Sequence, residues 1–165
     1  MQGVDGWLTA KGTFCTLYIK DTVDLKALNS KIDTYQVDYG LLARPVLLIR
    51  KPEDEVLYKF DLIFMKVEEL LDMRPAGAHV DVKIYKTQND LCKVYVEIFN
   101  EGMWYVSFYV YKLNTIFGCE EKITADIIAH EMAHSVIDHH FTVMPPRKIG
   151  EMLAHYVELN LREKE

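Results

Sequence analysis

Residues 130–134 read His130-Glu131-Met132-Ala133-His134, and no other stretch of this chain restricts its fold as sharply. Two histidines four residues apart share one stripe only if the segment is helical, because one turn then separates them and both face the same way. Both imidazoles can converge on a single ion. Glu131, displaced by about 100° around the helix axis, stands beside that ion without ligating it. That is where a general base for a metal-activated water has to sit. The flanks agree with a helix: Thr124 can cap it, Asp126 complements its N-terminal dipole, and Ile127, Ile128, Ala133, Val136 and Ile137 supply an apolar flank. The segment reads as a buried amphipathic helix whose one polar stripe is the motif.

A catalytic zinc site takes three protein ligands and keeps a fourth position for water, so a further donor must come from downstream. His140 stands where the pattern H-E-x-x-H-x-x-G-x-x-H places a third histidine, but the glycine that permits the sharp turn is here Ile137, a β-branched residue poorly suited to positive φ. Asp138 lies one turn beyond His134, and its short side chain falls short of the ion. Glu151 is the better choice. Pro145-Pro146 halts the chain, and residues 147–162 then form a second helix, expected to turn Ile149, Met152, Leu153, Tyr156 and Val157 inward. Packed across the first helix, it can carry the Glu151 carboxylate to the metal. The expected ligand set is His130, His134 and Glu151 around one Zn2+, with Glu131 as the catalytic base.

The run Ile123-Thr124-Ala125-Asp126-Ile127-Ile128-Ala129-His130-Glu131-Met132-Ala133-His134, then Pro145-Pro146, then Gly150-Glu151-Met152-Leu153-Ala154-His155-Tyr156-Val157, resembles the gluzincin metallopeptidases. There an H-E-x-x-H helix is followed by a second helix bearing a glutamate ligand, often in an E-x-x-A-x-Y-like context. The resemblance implies a zincin-like α+β fold of the minimal kind, without the large lower subdomain of thermolysin-like enzymes. It implies the same three ligands and Glu131 as general base and acid. It also implies that the strand just before the motif helix, with Asn114 and Gly118 at its ends, is the sheet edge along which a peptide or protein substrate lies. Met152 departs from the glycine that often follows the glutamate. The group that stabilises the oxyanion stays open among Tyr156, His155, His139 and His140.

Upstream, residues 14–20 read as a strand, 24–37 as a helix, 45–50 as a buried strand and 52–73 as a helix with Leu57, Phe60, Phe64, Val67, Leu70 and Leu71 on its apolar stripe. Val80, Val82 and Ile84 alternate with polar partners in a half-buried strand. Residues 89–99 favour a helix, and 105–112 with 115–117 form a hairpin turning near Asn114. Together these predict an α+β domain over 1–165: a small mixed sheet, backing helices, the motif helix and a closing helix that carries Glu151. Half of the 165 residues are apolar, enough for one core and too few residues for a second full domain.

A net charge of −6 with scattered basic residues argues against nucleic-acid binding. No apolar stretch is long enough to span a bilayer. Cys15, Cys92 and Cys119 lack any C-x-x-C pairing and are expected as free thiols. No signal peptide is evident at the N-terminus as given, so the expected location is cytoplasmic, or exported if a leader preceded Met1. The expected function is zinc-dependent hydrolysis of peptide bonds. The alternative is an inactive or latent zinc-binding domain with a regulatory or peptide-binding role.

Overall fold

The computed structural model describes residues 6–35, 37 and 49–162. Five strands, β1 (Trp7–Lys11), β2 (Cys15–Lys20), β3 (Val80–Tyr85), β4 (Ser107–Val110) and β5 (Thr115–Cys119), form one sheet in the order β1-β2-β3-β5-β4. The β2–β3 and β3–β5 pairs are parallel, while β1 and β4 run antiparallel to their single neighbours. Among the described residues, five helices complete the α+β fold: α1 (Leu25–Lys31), α2 (Pro52–Leu71), α3 (Gln88–Phe99), α4 (Ala125–His140) and α5 (Arg147–Asn160).

Alternation along each strand sorts side chains between two cores. Leu17, Ile19, Val82, Ile84 and Ile116 face one way and pack with α2 and α4 through Phe60, Phe64, Met132 and Val136. Phe108, Phe117 and Cys119 face the other way, where Leu91, Val94, Tyr95 and Ile98 of α3 cover them. Adjacent residues of β5, Ile116 and Phe117, thus belong to opposite cores. Gly118 is fixed by close approach, since a Cβ there would meet Ile123 Cδ1 at 2.9 Å. Ile123 is fully buried just before α4, so Gly118 leaves the room that its side chain occupies.

The structure departs from the sequence reading in three places, and a fourth expectation falls largely outside the described residues. β1 was not foreseen; Trp7–Lys11 shows no clean alternation and is held by its pairing with β2, Trp7 opposite Lys20 through Lys11 opposite Thr16. α1 ends after Lys31, short of the expected 24–37, and the Asp33 carboxylate accepts the Tyr35 N–H at 2.9 Å, a local turn that competes with the helix. The strand expected over 45–50 lies mostly outside the described residues. The third correction concerns the sheet edge. The strand from Asn114 to Gly118 is interior, flanked by β3 and β4, because the Tyr111–Leu113 3-10 turn and the left-handed Asn114 (φ 46°) fold β4 back along its outer side. The edge is β4.

Candidate metal centre

Local chemistry fixes α4 before any ligand is considered. Thr124 Oγ1 accepts the Ile127 N–H at 3.3 Å, and Asp126 in the first turn meets Arg162 at 3.3 Å. Ile128, Ala129, Met132, Ala133 and Val136 are fully buried. With that face committed to the core, Ile127, His130, Glu131, His134 and Asp138 line an open cleft of about 610 Å³. The other walls are β4, the flank of α5 and the aromatic side chains of Tyr95, Phe99 and Tyr105.

α4 continues unbroken through Ile137, which is buried, to His140. His140 is therefore carried about 15 Å along the axis from His130 and lies exposed against Phe141. It takes no part in the cleft. Asp138 lines the cleft but lies outside the donor cluster.

α5 packs against α4 and buries Gly150, Ala154 and Val157. Ile149, Met152 and Tyr156, expected inward, are exposed instead. Glu151, half-exposed on the flank of α5, places its carboxylate between the two imidazoles: Oε2 is 3.5 Å from His130 Nε2 and Oε1 is 3.6 Å from His134 Nε2. The imidazole rings are 5.0 Å apart between centroids and inclined at 71°. His130, His134 and Glu151 are the one group among the described residues whose donor atoms, all within 4.8 Å of one another, could hold a metal ion. Both contacts exceed the roughly 2.7–3.2 Å of a hydrogen bond, and each is made by a different oxygen, so the three side chains are gathered closely enough to hold an ion without being bonded to one another.

Glu158 was missed by the sequence reading. Its Oε2 lies 3.1 Å from His130 Nδ1. A carboxylate at this distance suits a proton on Nδ1 and leaves Nε2 on the side of Glu151. Two turns separate Glu151 from Glu158 on α5, and that seven-residue spacing was the available signal. Burial pushes the His134 pKa below the ordinary imidazole range; the Glu151 charge opposes this, while His130 and Arg147 reinforce it. Neutral imidazole is the form that ligates.

Glu131 is buried at the cleft wall and accepts a 2.6 Å hydrogen bond on Oε1 from Ser107 Oγ, at the start of β4. Burial raises its pKa, and the Ser107 bond is the largest of the effects pulling it back. Tyr156, His155, His139 and His140 are all exposed and none lines the cleft. His139 instead bonds the Ser135 carbonyl at 2.7 Å, and His155 lies 3.4 Å from Glu158. The tyrosines lining the cleft are Tyr95, Tyr105, Tyr109 and Tyr111. Among the described residues no helix is long and apolar enough to cross a membrane. Compared with family models, curated proteins and solved structures, the chain finds no match in any of the three.

Proposed function

We propose that this chain is a zinc-dependent peptidase of the gluzincin type, with His130, His134 and Glu151 as ligands and Glu131 as general base and acid. The observation that carries the reading is the Glu151 carboxylate, one oxygen 3.5 Å from His130 Nε2 and the other 3.6 Å from His134 Nε2, across two imidazoles one helical turn apart, in a donor group that could hold a metal ion. Zinc bound there supplies a Lewis acid that polarises the scissile carbonyl and brings the pKa of water near about 7. Glu158 holds His130 in the tautomer that ligates. Glu131 takes the proton of the attacking water and returns it to the amine nitrogen as the C–N bond breaks. An extended peptide pairs with the free edge of β4, which borders the cleft, by strand addition.

The test is metal analysis of untagged protein purified without chelator, followed by hydrolysis of a mixed peptide library. The expected result is about one zinc per chain, with cleavage lost on chelation and restored by zinc. Protein that binds no zinc overturns the whole reading. Zinc bound without cleavage supports the non-hydrolytic zinc domain in its place.

A further inference from the structure

Glu131 is tied to the sheet by one side chain, and that side chain has no other bonded partner among the described residues. Ser107 Oγ donates to Oε1 at 2.6 Å across the gap between β4 and α4, and both residues are buried, at 7% and 8% exposure. A hydroxyl has a single proton to give, so the bond holds one carboxylate oxygen, and the Tyr109 backbone N–H, also on β4, favours the charged group from the same strand. At so buried a carboxylate such a bond is costly to remove, because the oxygen left behind loses its side-chain donor. Ser107 also has its backbone anchored, standing opposite Gly118 in the β4–β5 ladder. The direction in which Glu131 points is therefore set from the edge strand of the sheet and not from its own helix.

We propose that Ser107 is a positioning residue for Glu131. It aims the carboxylate across the cleft toward the His130, His134 and Glu151 cluster, and ties that aim to the strand that borders the cleft. This rests on the peptidase reading. A carboxylate that must accept a proton from water and pass it to a leaving nitrogen works only in a narrow range of orientations. On α4 alone, Glu131 has the rotamer freedom of any long side chain; the Ser107 bond removes it before substrate arrives.

The test compares wild type, Ser107→Ala and Ser107→Thr on one peptide, with zinc content measured for each. Ser107→Ala is expected to lower kcat about tenfold, with KM within about twofold and zinc content unchanged. Ser107→Thr, which keeps the hydroxyl and suits a strand, is expected to recover kcat to within about threefold. A residue needed only for folding would lower the active fraction without this recovery pattern. A second measurement does not use activity. Thermal midpoints of the metal-free wild type, Ser107→Ala, Glu131→Ala and the double variant are expected to be non-additive by about 3 °C, because either single change already breaks the bond. Additive midpoints, or an active Ser107→Ala with wild-type kcat, overturn the positioning role and leave the peptidase reading standing. Wild-type protein that cleaves no peptide overturns the peptidase reading, and the catalytic role of Ser107 with it.

Discussion

Two buried carboxylates, Asp61 on α2 and Glu131 on α4, have the same chemistry and opposite surroundings. Asp61 is 1% exposed and accepts three backbone N–H groups, from Thr13 at 2.8 Å and from Phe14 and Cys15 at 3.0 Å. Gly12 completes the cradle, since a Cβ there would collide with the carboxylate. Burial raises the pKa of both groups, and hydrogen bonds pull both back. The difference lies in how much acceptor capacity the fold takes up. Three backbone groups bond Asp61 and lock the β1–β2 turn onto α2, so its acceptor capacity is spent on the fold. Glu131 takes the Ser107 hydroxyl, with the Tyr109 backbone N–H also favouring its charged form, and keeps a side on an open cleft. A buried charge with its bonds filled by backbone is architecture; one with capacity facing a cleft is available for chemistry.

That contrast breaks most decisively at Glu131. Glu131→Gln keeps the shape and the Ser107 bond but removes the base, so hydrolysis is expected to fall by about 10³-fold, while the thermal midpoint stays within about 2 °C. Retained turnover in a pure preparation would end its assignment as base. Asp61→Ala should do the reverse. Three backbone donors lose their partner, and a loss of about 3 kcal/mol in urea denaturation is expected, with kcat per folded molecule unchanged. If Asp61→Ala were neutral in stability, the distinction drawn between the two carboxylates would collapse.

The next step down in size separates the ligand from its support. Glu151→Ala removes a donor and is expected to weaken zinc binding well beyond tenfold, whereas Glu158→Gln only frees the His130 ring and is expected to cost about tenfold. Competition with a chromophoric chelator reads both. Equal losses would make Glu158 as much a ligand as Glu151.

The parts of this arrangement visible in the sequence are those set by local rules. The period of α2, the alternation of β3, the Thr124 cap and the i, i+4 histidines all act within one or two turns, and the seven-residue step from Glu151 to Glu158 lay in the same range. The order of strands was not visible. The hairpin before α4 was foreseen, but which arm lies outside depends on parallel pairing of β3 with β5, Asp81 opposite Thr115 through Tyr85 opposite Cys119. No local pattern encodes that contact. Ser107 gave no signal either, being 24 residues from Glu131 in an ordinary strand. On α5 the helical period was right and its phase wrong. Its buried face carries Gly150, Ala154 and Val157 against α4, while the larger Ile149, Met152 and Tyr156 stay in solvent.

Asp138 is the third case in the comparison, and it sharpens the other two with the smallest effect. It lines the same cleft one turn beyond His134, yet no hydrogen bond or ion pair among the described residues reaches its carboxylate, and burial raises its pKa from 3.8 to about 6, with the His139 charge opposing. Between those values the folded protein holds a proton that the unfolded chain has released. Its contribution to stability therefore falls as pH rises from about 4 to about 6 and is constant above. Asp138→Asn removes that fall. Because much of the group faces solvent, the effect is discounted to less than about 1 kcal/mol, or about 2 °C in thermal midpoint. In metal-free protein the variant should gain this much on wild type between pH 4 and pH 7. A gain that does not depend on pH would mean that Asp138 is no more desolvated than a surface acid, and that of these two cleft carboxylates Glu131 alone feels burial.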